Sequence, residues 1–154
     1  MDRLAHVLKW EEKNPPQLQP AYVAHRKRVT KYQAGYQKAR AKVDPEFALL
    51  MKCRGRLGCA LRAQGVRKSV RTLRLLGCTT SELKRHLESL WLPGMCWENY
   101  GKWHIDHILP CASFDLLQVS EQRKCFHYTN LQPLWAVDNH RKGARVTPPP
   151  QPLA

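Results

Sequence analysis

The sequence predicts an α+β fold in which a basic, mainly helical N-terminal part precedes a small C-terminal unit of two strands and a helix. The N-terminal half is rich in helix formers and in lysine and arginine. The stretch from Trp103 to Leu109 is apolar and β-branched, and Pro110 closes it, which is typical of a strand. Residues 131 to 143 then form a short apolar run followed by a helical pattern that ends at Gly143. A chain of 154 residues suits one domain, or a small catalytic unit with a helical extension.

Caps and breakers predict the helices of the N-terminal part. A proline-free run from Ala21 to Lys42 predicts a basic helix after the prolines at positions 15, 16 and 20. Asp44 followed by Pro45 is typical of a helix start, and leucines at helical spacing continue this helix to a stop at Gly65. Residues 79 to 82, T-T-S-E, have the form of a capping box and open a third helix.

The C-terminal unit is predicted to contain a strand from Trp103 to Leu109 and a short helix between residues 120 and 128. A second strand is expected from Leu131 to Leu134, and a helix from Trp135 to Lys142. In a regular strand the adjacent Asp106 and His107 point to opposite faces. The two side chains serve one site only if the strand ends or twists at this point.

The charge of the chain predicts an anionic partner. The formal net charge is +14 and the pI is about 9.9, and a field of this sign raises the local concentration of polyanions. Nucleic acid is the expected partner, and DNA is preferred. An anionic membrane is the competing interpretation, but no apolar run approaches the roughly 18 residues that a membrane span requires. The N-terminus lacks the apolar core of a signal peptide, so a cytoplasmic protein is expected.

The basic residues of the first half form two blocks in which acidic residues are few. A solvated helix face usually mixes both signs of charge, so this one-sided excess favours contact with phosphates. The candidates for DNA contact are Arg26, Lys27, Arg28, Arg54, Arg56, Arg62, Arg67, Lys68, Arg71 and Arg74.

The six cysteines do not predict a metal ribbon. They are scattered along the chain and none belongs to a C-x-x-C pair. The interpretation is that they are reduced thiols that act as small buried hydrophobic residues.

The residues of the C-terminal unit meet the needs of a phosphodiesterase. A carboxylate and an amide oxygen, here Asp106 and Asn139, suit Mg²⁺ or a similar hard ion. A neutral imidazole such as that of His107 takes a proton from water near neutral pH, so the rate should rise through about pH 6 to 7. Lys142 is expected to hold a phosphate oxygen. Further candidates for contact with metal or phosphate are His104, His140 and Arg141.

The stretch from about Trp97 to Gly143 resembles HNH endonucleases, the family built on the ββα-metal fold. The shared pattern is D-H-I-x-P from Asp106, N-L-Q-P-L from Asn130 and N-x-x-K-G from Asn139. The upstream segment L-L-G-C-T-T-S-E-L-K-R-H-L-E also resembles the lead-in of phage and bacterial members.

The resemblance implies a role for each residue of the pattern. His107 is implied as the general base, Asp106 and Asn139 as ligands of one Mg²⁺, Mn²⁺ or other divalent ion, and Asn130 as a brace for the loop that carries the base. His140 would be the ligand if the helix were shifted by one residue. Implied products carry 5′-phosphate and 3′-hydroxyl ends.

Relatives of this kind often hold a structural zinc through two C-x-x-C pairs. The positions of one pair are occupied here by Trp135 and Asp138, so no structural zinc is expected.

The expected organisation is a basic helical DNA-binding extension over residues 1–76, a nuclease domain over residues 77–146 and a proline-rich, disordered tail over residues 147–154. One active site per chain cuts one strand, and the sequence leaves monomer and homodimer open. The alternative function is a non-catalytic basic protein that binds DNA or RNA, with the motif kept as a folding element.

Overall fold

The structure is a computed structural model that describes residues 12–13 and 20–146. The predicted disordered tail over residues 147–154 lies outside the described residues. The chain divides into two compact units, Met1–Asp44 and Pro45–Ala154. The described part is α+β, mostly helical with one small antiparallel sheet of two strands.

The first unit contains the helix α1 (Pro20–Val43). None of its residues is buried, and its last turn carries Arg40 and Lys42. The guanidinium of Arg40 lies 3.0 Å from the Asp44 carboxylate, one helical turn further on. The predicted basic helix is therefore confirmed, and its side chains are solvated within this unit.

The second unit begins with helix α2 (Pro45–Ala63), as the predicted start at Pro45 requires. Three of its leucines and one cysteine lie four residues apart and share one buried face; these are Leu49, Cys53, Leu57 and Leu61. This face packs in the two hydrophobic clusters that also hold residues of the later helices and of the sheet. The compact units consequently divide after Asp44, whereas the sequence placed a domain boundary after residue 76.

Two shorter helices follow α2. Helix α3 (Thr72–Leu76), which the sequence did not predict, ends at Gly77 in the left-handed conformation. Helix α4 (Thr80–Ser89) has the predicted capping box: the Thr79 hydroxyl accepts from the backbone N–H of Glu82, and the Glu82 carboxylate accepts from the backbone N–H of Thr79. Leu83 and Leu87 of α4 are fully buried.

The sheet pairs strand β1 (Trp103–His107) with strand β2 (Leu131–Trp135), with Asp106 opposite Gln132. In the order of the chain, helix α5 (Val119–Phe126) lies between the two strands, and helix α6 (Ala136–Lys142) follows β2 directly. Strand β1 ends two residues before the predicted Leu109. From there the backbone N–H groups of Ile108 and Leu109 bond to the carbonyl and the side chain of Asn130 instead of continuing the ladder.

Candidate functional site

The alternation of side chains along β1 separates the predicted site residues. His104 and Asp106 point to the face beneath α6, where both bond to α6 side chains. The His107 ring is on the other face, in edge contact with Phe126 at a ring-centroid distance of 5.8 Å. The expected divergence of Asp106 and His107 is confirmed. Any single site that uses both must be reached from the end or the edge of β1.

Asp106 forms a buried ion pair with Lys142. The residues are only 6% and 4% exposed, and the Lys142 Nζ lies 2.7 Å from Asp106 Oδ2. Gln132, opposite Asp106 in the sheet, donates from Nε2 to the same Oδ2 at 3.1 Å. The Lys142 ammonium also donates to the His107 carbonyl oxygen. Lys142 was expected to hold a phosphate oxygen. In the structure its ammonium is instead buried and donates to two acceptors of the protein.

His104 and Asn139 meet across the same face. The Asn139 amide Nδ2 donates to His104 Nδ1 over 3.0 Å, which directs the amide oxygen of Asn139 away from the ring. The exposed His140 lies edge-on to His104 at 5.9 Å between ring centroids. Burial lowers the pKa of His104, and Arg56 and His140 lower it further. His104 is therefore neutral at neutral pH and acts as an acceptor toward Asn139.

Asn130 ties the loop after β1 to the end of α5. Its Oδ1 accepts from the backbone N–H of Leu109 at 2.9 Å, and its Nδ2 donates to the carbonyls of Leu109 at 3.1 Å and Cys125 at 2.8 Å. His107 lies two residues before Leu109, so these bonds fix the course of the chain directly after the candidate base.

Replacing Asn130 with alanine is expected to lower the free energy of unfolding by about 1–3 kcal/mol, since three hydrogen bonds of one side chain are lost at once. Urea unfolding measures the change. The control is Thr129→Ala at the neighbouring exposed position, whose hydroxyl bonds to the His127 ring. Equal stability losses in the two variants would contradict the bracing role of Asn130.

On its other face, β1 borders a groove of about 600 Å³ that α2 walls with basic residues. Lys52 and Arg56 of α2 line it, together with Tyr100, His107 and Cys111. The Lys52 ammonium lies 3.5 Å from the centre of the Tyr100 ring, a cation–π contact. His107 is thus a half-buried imidazole at the side of a positively charged groove.

His107 also belongs to a cluster with two cysteines. One ligand atom from each of His107, Cys111 and Cys125 lies within 4.8 Å of the other two. A hydrogen bond from the Cys125 thiol lowers the pKa of Cys111, and His107 lowers it further, against the effect of burial. The pKa of Cys125 is raised because its thiol donates to Cys111 and is buried. The sequence interpretation, reduced thiols that act as small buried hydrophobic residues, did not foresee this cluster. The H-x-x-x-C spacing of His107 and Cys111 was the one signal for it.

The basic candidates of the second unit are available to a ligand. Arg54, Arg62, Arg67, Lys68, Arg71 and Arg74 are exposed and Arg56 is half-buried. Within the described residues none of these seven takes part in an ion pair. Arg141 differs, because its guanidinium lies 3.6 Å from the Asp138 carboxylate on the exposed side of α6. In the first unit Arg26, Lys27 and Arg28 are exposed on α1.

No helix among the described residues combines the length and the apolar character that crossing a membrane requires.

Comparison with known proteins gives two relatives, both uncharacterized proteins of Acanthamoeba polyphaga mimivirus. The first is 32% identical over 111 residues, which are 71% of this chain and 48% of the relative. The second is 38% identical over 74 residues, which are 47% of this chain and 33% of the relative. The chain therefore matches half or less of each relative's length. No protein-family model matches the chain, and no solved structure matches it.

Proposed function

We propose that this chain is a metal-dependent endonuclease of the HNH type that hydrolyses DNA phosphodiester bonds, one strand per active site. The observation that carries the proposal is the meeting of Asp106 and His104 on β1 with Asn139 and Lys142 on the helix directly after β2. Residues more than thirty positions apart thereby form one polar cluster on one face of β1, and the basic groove lies on the other face. The order of two antiparallel strands and a helix is the order that a ββα-metal unit requires.

The side chains beneath α6 suit a hard divalent ion. Asp106 offers a carboxylate whose hydrogen bonds within the described residues both end on Oδ2, and Asn139 offers an amide oxygen. The buried Oε1 of Gln132, next to Asp106, is an acceptor without a hydrogen-bond partner in the described part of the chain. Oxygen donors of this kind are the ligands that Mg²⁺ and Mn²⁺ prefer. When bound, such an ion would supply positive charge against the scissile phosphate and the leaving 3′ oxygen.

The proposal requires that side chains on both faces of β1 reach the same phosphodiester. Strand β2 pairs with one edge of β1, and the strand ends at His107. Arg56 lines the groove together with His107. We therefore assign its guanidinium the attraction of a phosphate to the end of β1, next to His107.

The chemistry then divides among the residues of the chain. His107 removes a proton from the attacking water, the P–O3′ bond breaks as the new P–O bond forms, and the leaving 3′ oxygen takes a proton from solvent water. Arg56 contributes a guanidinium to a phosphate oxygen. Lys142 holds the Asp106 carboxylate in place, so we assign it a positioning role rather than contact with the substrate. Asn130 fixes the loop that follows His107.

The uncompensated arginines of α2 are proposed to contact the DNA backbone. Replacing Arg54 and Arg62 with glutamine is expected to weaken DNA binding. It should also reduce the slope of log K against log salt by about 0.9 for each phosphate contact that is lost. Fluorescence anisotropy over a series of salt concentrations measures both quantities. Arg123→Gln on α5, also exposed, is the matched control and should leave the slope unchanged.

A plasmid relaxation assay tests the function itself. Supercoiled DNA should be converted to nicked circles with Mg²⁺ or Mn²⁺ and remain intact with EDTA. Binding of DNA or RNA without cleavage under every metal condition would instead identify a non-catalytic binding protein.

A further inference from the structure

The cluster of His107, Cys111 and Cys125 has the composition of a metal site that differs from the oxygen-rich face beneath α6. Its three ligand atoms lie within 4.8 Å of one another, although Cys111 and Cys125 belong to different segments of the chain. Cys111 is in the turn after β1, and Cys125 is near the end of α5. The bonds from Asn130 to Leu109 and Cys125 hold these two segments together.

The geometry is close to that of a tetrahedral ion. With Zn–S bonds of about 2.3 Å and Zn–N bonds of about 2.0 Å, tetrahedral ligands lie roughly 3.5–3.8 Å apart. Side-chain shifts of an ångström or less would bring the three atoms from their present separation to this one. Binding of the ion would displace the protons of the two thiols, since a metal takes thiolate and neutral imidazole.

We propose that His107, Cys111 and Cys125 form a binding site for a thiophilic divalent ion of the zinc class, with a fourth position open to the groove beside α2. His107 and Cys111 line this groove, whereas Cys125 is fully buried and closes the site from behind. Three protein ligands with one open position are the arrangement of an accessible rather than a purely structural zinc site. Two sulfur donors select against Mg²⁺, which prefers oxygen.

Occupation of this site would switch off the proposed nuclease. An imidazole whose nitrogen is bonded to zinc has no lone pair for the proton of the attacking water, so His107 would be lost as a base. This consequence rests on the proposed function, but the binding itself does not. Zinc should therefore inhibit cleavage and magnesium should support it. Zinc would occupy the proposed base His107, whereas magnesium would be held by the oxygens on the opposite face of β1.

Titration of the metal-free full chain with Co²⁺ under reducing conditions tests the site directly. Tetrahedral Co²⁺ bound to thiolate gives a sulfur-to-metal charge-transfer band together with intense visible bands. We expect both to saturate at one equivalent and to be displaced by Zn²⁺. Absence of a saturable thiolate band in the wild type would overturn the proposal, whatever the nuclease assay shows.

Cysteine variants identify the ligands. Cys111→Ser and Cys125→Ser should each lose the charge-transfer intensity of one sulfur and weaken Zn²⁺ binding at least tenfold, since even outer-shell changes at metal sites cost 10–100-fold. Cys59→Ser, at an exposed cysteine of α2, is the control and should bind as the wild type does. Circular dichroism of each variant verifies the fold, and Cys125→Ala replaces any Cys125→Ser protein that unfolds. Unchanged bands in both ligand variants would overturn the assignment.

The plasmid assay with added Zn²⁺ separates the proposed nuclease function from the proposed zinc site. Zn²⁺ added to the Mg²⁺-containing plasmid assay should inhibit the wild type and have at least tenfold less effect on Cys111→Ser. If no variant cleaves under any condition, the proposed function fails while the Co²⁺ titration still decides the metal site. Inhibition that is equal in the wild type and Cys111→Ser would contradict the switch.

Discussion

Replacement of His107 with alanine is expected to abolish plasmid nicking while leaving DNA affinity nearly unchanged. The imidazole is the proposed base, and a positioned general base contributes about 10²–10⁴-fold to the rate. The Lys52 and Arg56 side chains that wall the adjacent groove remain in the variant, so the attraction for phosphate persists. Nicking rates with Mg²⁺, together with anisotropy titrations of the same preparations, measure the two effects separately.

The matched control is His104→Ala, on the same strand but on the opposite face. His104 is the rival base because it lies with Asn139 beneath α6 and because burial, Arg56 and His140 keep its pKa below the ordinary value. We expect His104→Ala to retain more activity than His107→Ala, since the role of His104 is to orient Asn139. The reverse order would move the base to the face beneath α6. In that case the activity of the His107→Ala protein should persist to a lower pH than an ordinary histidine base would allow. A histidine with a lowered pKa, such as His104, keeps its unprotonated form at lower pH.

The fold was largely predictable where the signals are local. The capping box at Thr79, the helix start at Pro45 and the helix end at Gly143 were all predicted. Each depends on how residues close in the sequence meet the backbone hydrogen-bonding needs of a helix end. The short helix α3 was missed because five residues provide too little periodicity. The compact units divide after Asp44 because α2 is buried against residues far along the chain, which spacing alone does not reveal.

The elements that carry the candidate residues were predictable, but the pairing of their side chains was not. The sequence placed Asp106 on a strand and Asn139 on a later helix, and it predicted that His107 would diverge from Asp106 in a regular strand. It did not foresee that the Lys142 ammonium would be buried against Asp106, because a lysine near a helix end is normally solvated. Nor did it foresee the meeting of Cys111 and Cys125, which depends on how α5 packs beside the turn after β1.

The buried pair of Asp106 and Lys142 leads to the second large effect. Lys142→Ala should lower the free energy of unfolding by about 3–5 kcal/mol, because a carboxylate that is 6% exposed loses its counter-charge. Urea unfolding measures the loss. Arg141→Ala, on the same helix, removes only the exposed pair with Asp138 and should change stability by less than about 1 kcal/mol.

Two further measurements test the physical reason for this loss. The double variant Asp106→Asn with Lys142→Met should recover part of the stability, since neither charge then remains buried alone. Mg²⁺ or Mn²⁺ should stabilise Lys142→Ala more than the wild type. Without the ammonium, the oxygens of Asp106, Asn139 and Gln132 are free to bind a cation, and binding to the folded state raises its stability. A variant as stable as Arg141→Ala would contradict the buried pair. A Lys142→Ala protein that loses stability but shows no response to divalent ions would contradict the proposed ion position beneath α6, and leave the pair itself intact as a structural element.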